Sequence, residues 1–227
     1  MPESDLTGNS RPVTSSQTGC HDALESTVKR HLTHPFRKPV VPHNQQAFDE
    51  ALKWREKWQR EERPLILDSF CGTAQSTIHL AQRFPDHQVI GVDKSAHRLQ
   101  RPPAEVPENA LLVRADVDDF WRLAQTAQWR PEKHYLLYPN PWPKPAHLQR
   151  RVHGSPLFPT LLALGGELEL RSNWQLYLQE FAMAIELAGG HAMIEPLALH
   201  NIDDAVTAFE RKYALSGQTL YRYIARP

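Results

Sequence analysis

The sequence predicts an α/β fold with a parallel, doubly wound sheet, and two observations support this prediction. Downstream of residue 63, short apolar runs typical of buried strands alternate with segments whose apolar residues recur at helical spacing. Several of these runs end in an acidic residue just before a helix is expected to begin. In a sheet of this kind, ligands bind beyond the carboxyl ends of the strands. We therefore expect the functional residues at that edge.

The chain divides into three expected parts. Residues 1–28 begin with a stretch rich in Ser, Thr, Gly and Pro, which predicts a disordered arm. Residues 29–63 combine an acid-free basic loop over 29–43 with an amphipathic helix over 44–63. Residues 64–227 carry the alternating pattern and form the main domain.

Seven strands and five helices are expected in the main domain. Turn residues, Gly pairs and prolines set most of the boundaries. The expected strands are 64–70, 88–93, 110–115, 133–139, 167–171, 190–195 and 218–225. The expected helices are 74–84, 94–101, 117–128, 157–163 and 174–188.

Composition restricts the protein class. The 227 residues suit one domain, and the formal net charge of +0 gives no global signal for nucleic acid. The only cysteines, Cys20 and Cys71, are too few for a disulfide framework, which favours a reducing compartment. The polar N-terminus lacks the apolar run of a signal peptide, and no apolar stretch is long enough to span a membrane. We expect a cytoplasmic monomer with no membrane association and no metal site.

Acidic residues follow three successive strands. Asp68 ends the first strand and is followed by Gly72 in the turn to a helix, Asp93 ends the second strand, and Asp116 follows the third. An acid about twenty residues beyond the first turn can accept hydrogen bonds from ribose hydroxyls. Asp116 is well placed to meet an adenine amino group. The alternative is that each acid simply caps the helix that follows it.

The first turn distinguishes between two nucleotide-like ligands. A dinucleotide needs a glycine-rich turn around its pyrophosphate, but Phe70 and Ala74 stand where two of those glycines would be. The carboxylate of Asp68 would repel a pyrophosphate and attract an ammonium group. The sequence therefore favours S-adenosylmethionine (SAM) over a dinucleotide, and a dehydrogenase is a poor alternative.

A proline-rich loop follows the fourth strand. Residues 139–156 hold Trp142, whose flat face could stack on a base, and a basic run without acids that includes Lys144, Arg150 and Arg151. The basic segments 29–43 and 144–153 are the two candidate contacts for phosphates. A structural loop with a solvated basic edge is the simpler alternative.

Three stretches resemble bacterial tRNA (guanine-N7)-methyltransferases. PNPWPKPAHLQRRV resembles that family's PDPWPK segment with its downstream Arg pair, and LALGGELELRSNWQLYLQEF resembles its L.PGG.L.L.TDW..Y...M segment. Thr207-Ala208-Phe209-Glu210 followed by Gly217 resembles its T.FE…G ending. The resemblance extends over residues ~64–225 and is most specific in the Pro-Trp-Pro-Lys run.

The resemblance implies a Rossmann-like, seven-stranded SAM-dependent methyltransferase that modifies N7 of a guanine in tRNA. It implies that Asp68, Asp93 and Asp116 hold SAM, and that Asn140 lies between cofactor and base as the catalytic-site residue. It further implies that four residues face the substrate: Lys144, Asn173, Thr207 and Glu210.

The chain departs from this family at two substrate-side positions. Asn140 and Asn173 stand where the family has aspartates. Guanine N7 carries a free lone pair, so methyl transfer mostly needs positioning and no general base. Replacing a charged hydrogen-bonding partner by a neutral one costs roughly 1–1.5 kcal/mol, or about tenfold in rate. The amides leave two alternatives open: a different small-molecule or nucleotide acceptor, or a catalytically weak SAM-binding protein that interacts with RNA.

Overall fold

The computed structural model describes residues 8–58 and 62–226. Their strands form one seven-stranded sheet in the order β3-β2-β1-β4-β5-β7-β6. The order reverses between β1 and β4, so the switch point lies beside the turns that follow these two strands. The strands are β1 Leu65–Ser69, β2 Gln88–Asp93, β3 Ala110–Arg114, β4 Lys133–Leu137, β5 Glu167–Ser172, β6 His191–Leu197 and β7 Leu220–Arg226.

Eight α-helices accompany the sheet in the described residues. They are α1 Leu24–Thr33, α2 Pro42–Glu56, α3 Gln75–Arg83, α4 Ala96–Leu99, α5 Val117–Thr126, α6 Phe158–Leu164, α7 Gln175–Leu187 and α8 Ala208–Leu215. Short 3-10 turns occur at Pro145–Arg150 and Val152–Gly154 in the proline-rich loop, and at Ile202–Asp204 before α8. The seven strands and the five main-domain helices expected from the sequence are present, which confirms the predicted fold class.

The central strands are buried on both faces. In β1, Leu65 and Leu67 contribute to the larger apolar core, whereas Ile66 points into a second core on the opposite face. This alternation follows from the two-residue period of a strand. Helices α1, α2, α5, α6 and α7 supply the larger core, and α3 covers the second. Gly91 in β2 lets α3 approach closely, because a Cβ there would lie 2.2 Å from Thr77 Oγ1.

The sheet is mixed, whereas an all-parallel sheet was expected. β7 runs antiparallel to both of its neighbours, β5 and β6. The hydropathy pattern identifies a strand but carries no information on its direction, and the helix α8 that precedes β7 was not predicted. Helix α8 has only eight residues, and the residue that it buries is the acidic Glu210, so no apolar face marks it in the sequence.

The N-terminal segment also differs from the expected disordered arm. Residues 1–7 lie outside the described residues, but residues 8–23 follow a defined path over the domain and α1 begins at Leu24. Helix α1 buries a short stripe of Leu24, Thr27 and Val28 at helical spacing, which is too short to stand out in a polar sequence. Lys29 and Arg30, expected in a basic loop, therefore lie on a helix.

Candidate active site at the carboxyl ends of the strands

Asp68 lies fully buried at the end of β1. Its Oδ2 accepts hydrogen bonds from Ser76 Oγ and Thr77 Oγ1, each at 2.7 Å, from the first turn of α3. Its Oδ1 is buried and has no hydrogen-bond partner among the described residues. Burial raises the pKa of this carboxyl to about 6, and Ser76 and Thr77 only partly oppose that shift. A buried acceptor with one free oxygen suits a cationic group.

The turn after β1 keeps the backbone conformation of a glycine-rich loop. Phe70, Gly72 and Ala74 have φ values of 64°, 61° and 66°. Left-handed conformations cost a residue with a side chain roughly 1–2 kcal/mol, and such strain is common at ligand sites. Nothing lies within 4 Å of the position that a Cβ on Gly72 would occupy, so the turn is open at its centre.

Asp93 ties the ends of β1 and β2 together. Its Oδ2 accepts from the backbone N–H of Gly72 at 3.1 Å, and its Oδ1 accepts from the N–H of Ser95 at 2.8 Å. Arg98 Nη1 lies 3.5 Å from Oδ2. The predicted ribose acceptor and the predicted cofactor turn are therefore in direct contact.

Asp116 is the N-cap residue of α5. Its Oδ1 accepts from the N–H of Asp118 at 3.0 Å, so the capping alternative holds for this acid. Asn44 on α2 fixes the same turn, because its Oδ1 accepts from the Asp116 N–H at 3.0 Å and its Nδ2 donates to Asp119 at 2.7 Å. Burial raises the pKa of Asp118 to about 6, and the charges of Asp116 and Asp119 add to that shift.

The residues at these three strand ends fit SAM. The free Oδ1 of Asp68 can accept from an ammonium group, Asp93 can accept from ribose hydroxyls, and the turn at Asp116 can meet an adenine ring. The open centre of the turn at Gly72 leaves room for the chain between them. Capping and ligand binding are compatible, since a carboxylate has about four lone-pair sites.

The loop after β4 begins with a strained turn. Tyr138 and Trp142 have φ values of 53° and 45°, and the exposed Asn140 lies between them without a hydrogen-bond partner in the described part of the chain. Tyr138 is held from both sides: its N–H donates to the Arg171 carbonyl at 2.9 Å, and its hydroxyl donates to Glu210 at 2.9 Å. Asn140 is therefore presented by a fixed segment.

The two adjacent arginines of this loop have different environments. Arg150 is exposed, with its guanidinium 4.8 Å from the centre of the Trp142 ring. Arg151 is fully buried, where it pairs with Glu180 and donates to Gln17 Oε1 at 2.6 Å. The structure thus departs from the phosphate-binding role predicted for Arg151, because its guanidinium serves the fold. The exposed Lys144 has no acidic partner among the described residues, and its predicted role is compatible with this position.

Burial opposes ionisation of Glu180, but hydrogen bonds from His153, Arg151 and Gln17 outweigh it and hold the pKa at about 2. Burial lowers the pKa of His153. This cluster joins the proline-rich loop to α7 and to the N-terminal segment, since the N–H of His21 also donates to Glu180 at 2.9 Å. These contacts stabilise the fold.

Glu210 and Thr207 also have structural roles. Glu210 is fully buried and accepts from Tyr138, from Arg171 Nη1 at 2.9 Å and from the Val206 N–H at 2.6 Å. Thr207 caps α8, because its Oγ1 accepts from the Glu210 N–H at 2.9 Å. For both, the structure departs from the predicted substrate contact. Asn173 is half-buried after β5, and its Nδ2 donates to Gln218 Oε1 at 2.7 Å.

Sequence reasoning missed the residues that support the site. Ser76 and Thr77 hold Asp68, and Asn44 holds the turn at Asp116. The hydroxyls at 76 and 77 carried a usable signal, because the first turn of a helix that follows a strand faces back toward the end of that strand. Gln218 gave no such signal.

Residues 8–58 and 62–226 contain neither a candidate metal cluster nor a candidate membrane-spanning helix. No group of three or more His, Cys, Asp or Glu side chains there could hold a metal ion. None of the helices in that part of the chain is long and apolar enough to cross a membrane.

Comparisons with known proteins agree with this geometry. A family model described as "Putative methyltransferase" matches residues 62–223. The tRNA (guanine-N(7)-)-methyltransferase of Limosilactobacillus reuteri is 28% identical over 203 residues, which cover 82% of this chain and 93% of that protein. The enzyme of the same name from Rubrobacter xylanophilus is 30% identical over 178 residues, 74% of this chain and 78% of the relative.

Solved structures support the fold. An antibiotic-related methyltransferase has a TM-score of 0.55 at 12% identity, and covers 83% of this chain and 96% of its own. A 16S rRNA (adenine(1408)-N(1))-methyltransferase mutant from Catenulisporales acidiphilia, solved with SAM, has a TM-score of 0.55 at 17% identity. The match covers 77% of this chain and 89% of that one. The chain belongs to the putative methyltransferase family that includes these tRNA (guanine-N(7)-)-methyltransferases, and it is a SAM-dependent methyltransferase.

Proposed function

We propose that this enzyme transfers the methyl group of SAM to N7 of a guanine in tRNA. The observation that carries the proposal is the proline-rich loop of residues 139–156, which exposes Asn140 just after β4, the strand that pairs with β1 and its buried acceptor Asp68. The relatives that match most of the chain are named for this reaction. The proposed substrate assigns the enzyme to the cytoplasm.

The chain's own residues act by binding and orientation. SAM, when bound, supplies an electrophilic methyl group. Asp68, Asp93 and the turn at Asp116 would fix its ammonium, ribose and adenine, as their free acceptor atoms and positions allow. Guanine N7 forms the new C–N bond as the S–C bond breaks, and no proton leaves before attack. Catalysis of this kind depends on alignment.

Asn140 would contact the base as this reaction proceeds. Methylation leaves the guanine ring positively charged, and an aspartate would stabilise that charge more than an amide does. The amide carbonyl still accepts a hydrogen bond from the guanine N1–H or the 2-amino group. We therefore expect an active enzyme whose rate is about tenfold below that of its Asn140→Asp variant.

Methylation of bulk tRNA with labelled SAM tests the proposal. Purified protein and Asn140→Asp are compared side by side, and digested products are identified by mass spectrometry. We expect 7-methylguanosine from both, with a higher rate for the variant. Methylation of a free nucleotide or another small molecule instead of tRNA would establish a different acceptor. Binding of SAM and of tRNA, without turnover on any substrate, would establish a catalytically weak SAM-binding protein that interacts with RNA.

A further inference from the structure

The N-terminal segment over residues 8–17 lies on the substrate side of the domain. The N–H of Gly8 donates to the Leu215 carbonyl at 3.1 Å, and the N–H of Ser10 donates to Ser216 Oγ at 3.0 Å. Farther along, Ser15 Oγ donates to the Pro143 carbonyl at 2.6 Å. The segment therefore runs from the turn before β7 to the proline-rich loop of residues 139–156. Below, 'the arm' means residues 8–17 alone, which are part of the 1–28 segment expected to be disordered.

An amide chain holds the middle of the arm. Asn173 Nδ2 donates to Gln218 Oε1 at 2.7 Å, and Gln218 Nε2 donates to the Ser10 carbonyl at 3.0 Å. We call these three groups the amide relay. A carbonyl can only accept, so Gln218 must turn its NH₂ toward Ser10 and its oxygen toward position 173. Position 173 must then supply a donor, which Asn does and an ionised Asp does not.

The two segments that meet on this face carry basic side chains and no acidic ones. Residues 8–20 and 139–156 contain no acidic residue, and the bond from Ser15 to Pro143 joins the two segments. Arg11, Lys144 and Arg150 are exposed, and no acidic side chain of the described residues pairs with them. The neutral net charge of the whole chain thus conceals a positive local surface. Exposed arginine and lysine suit an RNA backbone, and the half-buried Trp142 beside Arg150 offers an aromatic ring for a base.

We propose that the arm is part of the RNA-binding surface and that the amide relay holds it there. Asn173 therefore positions the arm, and this role requires the donor NH₂ of an amide at position 173. The inference rests on the proposed function for its choice of RNA. It assigns the arm, Gln218 and Arg11 to substrate binding.

Two variants break the relay in different ways. In Asn173→Asp, the carboxylate draws the Gln218 NH₂ away from Ser10. In Gln218→Glu, the side chain still accepts from Asn173 but has no hydrogen for the Ser10 carbonyl at pH 8. If the relay holds the arm, both variants release it. If Asn173 acts directly on the base, only Asn173→Asp changes RNA binding.

Hydrogen exchange followed by mass spectrometry measures release of the arm. We expect exchange at Gly8 and Ser10 to become about tenfold faster or more in both variants, with helix α1 unchanged. Filter binding of tRNA at several salt concentrations, from low to moderate, measures how strongly the affinity depends on charge contacts at this surface. Arg11→Ala should lower the slope of log affinity against log salt by about one, whereas Lys53→Ala, on the exposed part of α2, should leave it unchanged.

The outcomes separate this inference from the proposed function. Unchanged exchange in both variants, or an unchanged salt slope for Arg11→Ala, would overturn the inference even if tRNA is methylated. Binding that depends on Arg11 and on the relay, in a protein that methylates no RNA, would support the surface and refute the proposed function.

Discussion

Asp68→Asn should raise the stability of the ligand-free protein while it weakens SAM binding. Burial raises the pKa of this carboxyl from 3.8 to about 6, so the folded protein resists its ionisation. A folded-state pKa above the unfolded value means that stability falls as pH rises from about 4 to about 6. The difference between these two pKa values corresponds to roughly 3 kcal/mol of stability that is lost above pH 6.

The amide removes that penalty but introduces a smaller one. Ser76 and Thr77 can still donate to its oxygen, whereas the new NH₂ group occupies the position of the unpaired Oδ1 and costs roughly 1–2 kcal/mol. The net gain is about 1 kcal/mol at pH 7, or a rise in Tm of about 2–4 °C for a chain of this size. Differential scanning calorimetry at pH 4.5 and pH 7 measures it, and the gain should be confined to the higher pH.

The affinity for SAM should change in the opposite direction. A charged hydrogen bond to an ammonium contributes roughly 1.5–3 kcal/mol, so its loss weakens binding by about tenfold to a hundredfold. In the native protein, calorimetric affinity should also fall about tenfold per pH unit below pH 6, and Asp68→Asn should lack this dependence. Asp86→Asn, an exposed position, is the charge control. A variant that is less stable at pH 7, or that binds SAM as tightly, would refute the reasoning.

Four further substitutions test the roles assigned to residues around the proline-rich loop and α8. Arg151→Met should cost about 3–5 kcal/mol in urea unfolding, because it removes the guanidinium that pairs with the buried Glu180 carboxylate. Arg150→Ala should change stability by less than about 0.5 kcal/mol and weaken tRNA binding, and equal effects of the two variants would contradict their different burial. Thr207→Ala should cost about 1 kcal/mol through loss of the α8 cap, and a raised KM for tRNA without loss of stability would contradict the capping role. Trp142→Ala should raise the KM for tRNA about tenfold by removing a stacking surface, with SAM affinity as the internal control; an unchanged KM would exclude stacking there.

The strands were predictable because their signal is local. The run at β2 is apolar and ends in Asp93, and the structure has this strand over the expected residues 88–93. The positions of the three acids proposed for the cofactor site were predictable for the same reason, since the end of a buried strand is visible in the sequence. The direction of β7 was not predictable, because it depends on which neighbours it pairs with.

The environments of polar side chains were the least predictable feature. Arg150 and Arg151 are identical and adjacent, yet only Arg151 meets a buried acid, and that acid lies on α7, 29 residues away. Glu210 likewise shows no sign of burial in the sequence, but the distant Tyr138 and Arg171 and the nearby Val206 N–H all donate to it. Such contacts depend on long-range packing, which a single sequence does not display.

Asn140 and Asn173, the two amides at which this chain departs from the family pattern that it resembles, have different surroundings. Asn173 is bonded to Gln218 and through it to the arm, whereas Asn140 is exposed and has no hydrogen-bond partner in the described residues. If Asn140 acts on the reacting base, Asn140→Asp should raise kcat and leave the KM for tRNA unchanged. If Asn173 acts through the arm, Asn173→Asp should raise the KM for tRNA and leave kcat unchanged.

A double-mutant cycle decides whether the two amides act independently. They share no hydrogen-bonding partner in the described residues, so their effects on kcat/KM should add within about 0.5 kcal/mol in the double variant. Steady-state kinetics with tRNA at fixed, saturating SAM supplies the four values. A coupling above about 1 kcal/mol, with both single variants changing kcat, would mean that both side chains contact the same base. The arm would then have no part in explaining Asn173.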